Sequence, residues 1–191
     1  MGAKRGEYGY IRAKKKKTAL FTVIYAAVAI GIYVLGLFLN HMSRQNIFTV
    51  IAVLGVLPTV KQIVGFIVIV PYASVSKEQY DKVCAVVPEG MELLTDLVIT
   101  SPDKIMHLDY MAVGNKQVIA LLGNGKQEIS YVREYLSKGV ANWGTGYKVK
   151  IVEQEKKFLR ELSDVVPESA MSENEKEEEE HVRSYLMSLI V

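Results

Sequence analysis

Two long apolar stretches constrain what this chain can fold into. From Thr18 to Leu39 the chain runs for 22 residues without a charged side chain. At a rise of about 1.5 Å per residue, a helix of this length covers about 33 Å, enough to cross the hydrocarbon core of a bilayer. A second apolar stretch, from Ile47 to Val70, is 24 residues long and ends at Pro71. The pattern therefore predicts two transmembrane helices, at residues 18–39 and 47–70.

The orientation of the predicted spans follows from their basic flanks. Residues 1–17 form a basic head with seven lysines or arginines and one glutamate, whereas the connector at residues 40–46 contains only Arg44. A connector this short requires an antiparallel hairpin. Because basic residues stay on the cytoplasmic side, we expect both termini and everything after Val70 in the cytoplasm.

The head ends in four consecutive lysines directly before the first predicted span: Lys14, Lys15, Lys16 and Lys17. Next to an anionic leaflet, each such charge contributes on the order of 1 kcal/mol to membrane association. Topology and contact with anionic lipid headgroups therefore account for these lysines. We do not expect the head to bind nucleic acid, because Tyr8 and Tyr10 offer little surface for base stacking.

The second predicted span contains polar interruptions. Pro58 removes a helical hydrogen bond, and Lys61 lies nine residues, or about 13.5 Å, before Val70. In one interpretation Lys61 and Gln62 face a partner helix, a lipid headgroup or a polar cavity, because a charge at mid-bilayer costs at least ~2.5 kcal/mol. In the other, which we favour, the helix tilts or shifts and Lys61 snorkels to the cytoplasmic interface.

Residues 72–191 have the pattern of a cytoplasmic α+β domain. Ser76–Gln79 and Ser172–Glu175 each have the form of a capping box, which begins a helix. Alternating and β-branched residues between Met91 and Leu122 predict three strands in a meander, and later segments alternate between helical and strand spacing. The predicted order is α-β-β-β-α-β-α-α, with a small mixed sheet covered by helices.

Cysteine and histidine usage predicts neither a disulfide nor a metal site. The single cysteine, Cys84, has no partner for an intrachain bond, and its place on the apolar side of a short predicted helix predicts a buried side chain. His41, His107 and His181 are far apart in the sequence. We therefore expect no metal and no cofactor.

The order helix, meander, helix, strand across residues 91–152 resembles the core of the restriction-endonuclease-like superfamily. The stretches Ile105–Val113 and Val118–Leu122 are similar to the nuclease-related domain found in some bacterial proteins. Fused to a membrane anchor, such a domain implies a protein of the bacterial cell membrane. The resemblance also implies a divalent metal, held by an acid on the second strand and by a Glu-x-Lys or Asp-x-Lys pair on the third.

Only part of that metal-binding set is present. Asp109 matches the acid of the second strand, but Ala120 and Leu122 stand where the third strand should carry its acid and lysine. No carboxylate occurs between Asp109 and Glu128, and one carboxylate does not assemble such a site. We therefore expect that nuclease chemistry has been lost from this domain.

His107 and Asp109 are two residues apart, so on a strand they point to the same face. They form either the remnant of a polar site or a hydrogen-bonded pair at a sheet edge, and we expect the second arrangement.

Three functions remain open from the sequence. We expect a non-enzymatic, two-span membrane protein whose domain binds an unidentified protein partner or a second copy, or scaffolds a complex. The alternative is a membrane-tethered, metal-dependent nuclease or phosphoesterase centred on Asp109, with His107, Asp96 or Glu128 as further site residues. A third hypothesis, a small subunit of a transporter or channel, depends on Lys61 and Gln62.

Overall fold

The computed structural model describes residues 2–39, 47–123, 127–166 and 172–191. They form two compact units. Arg12–Pro71 makes up the first, which we call the hairpin unit, and the chain up to Ile11 joins Tyr72–Val191 in the second, which we call the α+β unit. The predicted connector at residues 40–46 lies outside the described residues.

Two long helices make up the hairpin unit: α1, Tyr10–Leu39, whose first turn begins in the α+β unit, and α2, Ile47–Ile69. Their most apolar stretches have a mean hydropathy of 2.3 and 2.0, and only 11% of each stretch is buried. Both helices are long and apolar enough to cross a membrane. A core helix of a water-soluble protein would bury most of such a surface.

Contacts within the hairpin unit show that α1 and α2 are antiparallel. The Lys15 ammonium donates a hydrogen bond to the backbone oxygen of Val70 at 2.6 Å, just beyond the end of α2. Farther along, a Cβ built on Gly55 would lie 3.7 Å from the Cβ of Ala29. Pro58 lies inside α2 without ending it. Small residues thus let the helices approach, and a cation satisfies a carbonyl where α2 ends.

A mixed four-stranded sheet forms the centre of the α+β unit, in the order β1-β2-β3-β4. The first three strands form the predicted antiparallel meander, and the fourth pairs with β3 in parallel. The turn between β2 and β3 uses Asn115 and Lys116, both at positive φ, as a tight hairpin requires. The strands are β1 Met91–Thr100, β2 Ile105–Gly114, β3 Gln117–Leu122 and β4 Lys148–Val152.

Helices cover both faces of this sheet. Val132, Leu136 and Leu186 bring α4 and α6 onto one face, while Phe158 and Val83 bring α5 and α3 onto the other. Both predicted capping boxes are present, at the starts of α3 and α6. The predicted element order is therefore confirmed, with α3 Lys77–Cys84, α4 Ile129–Ala141, α5 Glu155–Ser163 and α6 Glu173–Leu189.

The outer edge of β1 is covered by residues distant in sequence. The backbone N–H of Thr95 donates to the oxygen of Gly6 at 2.8 Å, and Val191 donates to the oxygen of Val98 at 3.0 Å. The hydroxyl of Tyr10 in turn donates to the oxygen of Val191 at 2.8 Å. This pairing protects an edge that would otherwise be open to another strand.

Two local expectations differ from the structure. Residues 1–17 were expected to form a separate basic head, but the chain up to Ile11 belongs to the α+β unit and α1 begins at Tyr10. Ile11 itself is completely buried. Cys84 is exposed rather than buried, because α3 is only eight residues long and Val83 takes its buried position.

Candidate functional site

Asp96 on β1 and Asp109 on β2 lie opposite each other, where the regular pairing of the sheet is interrupted. Pairing is regular on both sides, but the two aspartates do not pair with each other. Asp96 has a φ of 56°, in the left-handed region that aspartate tolerates better than most residues. The pairing of β2 with β3 is also irregular, between Leu108 and Tyr110. The sheet therefore carries two facing bulges, one at each aspartate.

The bulge at Asp109 brings three polar side chains to one face of β2. Leu108 and Met111 belong to the core under α4 and α6, whereas Tyr110 belongs to the core under α3 and α5. Side chains alternate along a regular strand, so one extra residue shifts that alternation. His107, Asp109 and Tyr110 consequently share the face that α3 and α5 cover.

Gly123, directly after β3, provides space for this group. A Cβ built on Gly123 would clash with Nδ1 of His107 and would lie 2.8 Å from Oδ1 of Asp109. The two side chains thus converge over the glycine. A larger residue at position 123 would displace them both.

The carboxylate of Asp96 connects two segments of the α+β unit that are distant in sequence, and we call this connection the brace. The side chain is completely buried, and its two oxygens accept hydrogen bonds from the backbone N–H groups of Ile11, at 3.3 Å, and Val75, at 3.2 Å. These two residues flank the hairpin unit in the sequence. Both oxygens of Asp96 are therefore occupied by structural hydrogen bonds.

Asp109 has a different environment. Its side chain is 26% exposed, and its Oδ1 lies 3.8 Å from Nε2 of His107. Burial, followed by the negative charges of Asp96 and Glu155, raises the pKa of Asp109 from 3.8 to about 6. Asp109 can therefore exchange a proton near neutral pH.

His107 is fixed through its backbone and its ring. Its N–H donates to Oε1 of Gln127 and its oxygen accepts from Nε2 of the same side chain, both at 2.8 Å. The ring, 3% exposed, stacks on Tyr72 with the centroids 4.7 Å apart. The expectation of a hydrogen-bonded pair at a sheet edge is wrong, because β2 is an internal strand and 3.8 Å exceeds hydrogen-bond length.

Two residues of this group were missed by sequence reasoning. Glu155, at the start of α5, contributes to the raised pKa of Asp109. The hydroxyl of Tyr110 is buried and has no hydrogen-bond partner among the described residues, and burial with the charge of Asp109 raises the pKa of Tyr110. Only the three-dimensional contact between β2 and α5 could have identified them.

The remaining candidates lie in other surroundings than Asp109. Glu128 forms a surface ion pair with Lys104 instead of joining Asp109. Ala120 and Leu122 are buried in the core under α4 and α6. Over residues 2–39, 47–123, 127–166 and 172–191, no group of three or more His, Cys, Asp or Glu side chains could hold a metal.

The polar residues of the hairpin unit are separated from one another. Lys61 is exposed, while Gln62 is half-buried on the side of α2 that also contains Gly55 and the buried Thr59. Lys61 and Gln62 therefore differ in their exposure on α2. Among the four lysines, Lys16 and Lys17 are exposed, and Lys15 is bonded to Val70.

Comparisons with known proteins found no matching family model, no similar curated protein and no similar solved structure. The resemblance to the restriction-endonuclease-like superfamily therefore stays a prediction.

The brace at Asp96 predicts a large loss of stability when its carboxylate is removed. Asp96→Ala leaves two buried N–H groups without an acceptor, which costs about 2–4 kcal/mol. Asp96→Gly loses the same bonds but fits the positive φ, so it should cost about 1 kcal/mol less than the alanine variant. Denaturant unfolding of the detergent-solubilised protein, followed by the fluorescence of the single tryptophan, Trp143, measures both.

Asp103→Ala, on an exposed turn, is the matched control and should change stability by less than about 0.5 kcal/mol. An Asp96→Ala variant as stable as this control would show that the brace contributes nothing.

The raised pKa of Asp109 predicts a pH-dependent stability. The folded protein binds this proton more tightly than the unfolded chain does, so the contribution of Asp109 to stability is greatest below pH 4 and falls as the pH rises through about 6. Asp109→Asn removes the ionised group. Above pH 6 we expect the variant to be about 1–2 kcal/mol more stable than the wild type, since partial exposure reduces the full effect.

The measurement is the free energy of unfolding of both proteins between pH 4 and pH 8. Their difference should shrink towards pH 4, whereas Asp103→Asn should show no such change between pH 5 and pH 8. A constant difference across the range would contradict the raised pKa.

Proposed function

We propose that the two helices of the hairpin unit anchor this protein in a membrane, and that its α+β unit binds a protein partner on the cytoplasmic side without catalysing a reaction. One observation carries the anchoring part of the proposal: residues on both sides of the hairpin unit in sequence build a single α+β unit.

A shared unit limits how the chain can cross a bilayer. Gly6 and Ile11 precede the apolar part of α1, and they bond to Thr95 and Asp96, which follow α2. Such bonds need both segments on the same side, so the chain crosses twice or not at all. The many exposed apolar side chains of α1 and α2 favour two crossings, because water contact costs about 25 cal/mol per Å² of apolar surface.

Basic residues support the cytoplasmic orientation. Seven lysines or arginines precede residue 18, and the predicted connector has one. The bond from Lys15 to Val70 puts basic residues level with the end of α2, where a membrane surface would lie. Exposed Lys16 and Lys17 suit anionic headgroups.

The occupied carboxylate of Asp96 favours binding over catalysis. Asp109 is the other aspartate of the group, Glu155 accepts a hydrogen bond from Gln79, and Ala120 and Leu122 supply no further ligand. Divalent metals in such sites need several oxygen ligands.

Native Cys84 provides a test of the orientation, because it is exposed in the α+β unit. In intact cells we expect a membrane-impermeant maleimide to leave Cys84 unlabelled, and permeabilisation to expose it. In a Cys84→Ser background, Ser43→Cys in the predicted connector should label in intact cells. The opposite labelling of the two cysteines would reverse the topology. Protection of both cysteines in intact cells, with labelling of both after permeabilisation, would remove the two crossings from the proposal.

The raised pKa of Asp109 supports a second candidate function, a membrane-tethered nuclease or phosphoesterase. The full-length protein in detergent would be assayed for Mg²⁺-dependent cleavage of DNA, RNA and a phosphodiester. We expect no cleavage above that of Asp109→Ala. Cleavage that depends on Asp109 and survives in Asp103→Ala would establish the enzyme and overturn the binding proposal.

A further inference from the structure

Lys61 is the only charged residue of α2, and its depth follows from the structure of the hairpin unit. The hydrogen bond from Lys15 to Val70 shows that the end of α2 lies beside the basic residues of α1. Lys61 lies nine residues before Val70, which is about 13.5 Å along a helix. The middle of a bilayer core about 30 Å thick lies at nearly this depth.

The side of α2 that carries Lys61 does not contact α1. Gly55 approaches Ala29, and Thr59 is buried on that same side of α2. Lys61 is about 120° or more away around the helix from both, and it is exposed. The hairpin unit by itself therefore leaves this charge facing outward.

Neighbouring positions on this side suit a second helix. Pro58, one turn before Lys61, has no N–H, so the backbone oxygen of Leu54 lacks its helical donor. Gly65, one turn after, has open space around its missing Cβ. A helix can approach closely at the glycine, and its polar group then reaches the lysine.

The chemistry of the partner follows from charge. Lipid tails have no hydrogen-bond acceptor or negative charge for the ammonium group of Lys61. Its four-carbon side chain spans only part of the distance to the headgroups. No aspartate or glutamate occurs between Glu7 and Glu78, so a second copy of the hairpin supplies no carboxylate. The partner therefore has to carry the aspartate or glutamate itself.

We infer that Lys61 is the docking site for a transmembrane helix of a different protein, one that carries an aspartate or glutamate near the middle of the bilayer. This inference rests on the proposed membrane anchor. It places the partner's helix against the side of α2 formed by Pro58, Lys61 and Gly65.

A designed probe tests this site directly. Full-length protein labelled at Cys84 is reconstituted in phosphatidylcholine vesicles with a labelled Leu/Ala transmembrane peptide that has glutamate, or leucine, at its centre. Energy transfer between the labels reports association. We expect about tenfold tighter association with the glutamate peptide than with the leucine peptide.

Matched variants identify the lysine responsible. Lys61→Leu, which should insert more readily than the wild type, should abolish the preference, and Lys61→Glu should transfer it to a peptide with a central lysine. Lys77→Leu, which removes an exposed lysine of the α+β unit, should leave the preference unchanged.

The same experiment distinguishes other occupants of the site. Equal association with both peptides would mean that Lys61 reaches the headgroups, and self-association that depends on Lys61 would assign the site to a second copy. Either result overturns the inference while leaving the anchor intact. If the protein fails to float with the vesicles, the proposed anchor fails instead.

Discussion

The carboxylate of Asp96 joins segments that the two long helices separate in the sequence. Its oxygens accept from Ile11 and Val75, and all three groups are shielded from water. Each of these N–H groups would cost about 1–3 kcal/mol if buried without an acceptor. The aspartate makes these two bonds from a left-handed backbone conformation in β1. The packing of residues 2–11 onto the sheet depends on this arrangement.

The bulge at Asp96 also determines the properties of Asp109 across the sheet. Burial of Asp109, followed by the negative charges of Asp96 and Glu155, raises the pKa of Asp109 to about 6. A pair of neighbouring carboxylates could contribute to an acid–base site or a metal site. Here, however, one member braces the fold and the core side chains of β3 add no ligand.

The order of the elements was predictable because apolar spacing and two capping boxes are local signals. The spacing of His107 and Asp109 likewise placed them on one face. The bulge at Asp96 was not predictable, since its positive φ is stabilised by donors up to 85 residues away. For the same reason the sequence did not predict that residues 2–11 pack onto the sheet. Lys61 and Gln62 are adjacent in sequence, but the 100° step of a helix separates them, and only the position of α1 shows which one faces outward.

If the hairpin unit is the proposed membrane anchor, the covering of the β1 edge links membrane insertion to folding. Gly6 is synthesised long before Thr95, and the hydrogen bond between them forms only if both reach the same compartment. When α1 and α2 cross a bilayer as a pair, this condition is met. In a chain that inserts only one of these helices, Gly6 lies on the opposite side of the membrane from Thr95. The outer edge of β1 then has unpaired backbone groups. Faulty insertion would thus produce an exposed strand edge, a feature that quality-control proteases and chaperones can distinguish from the finished protein.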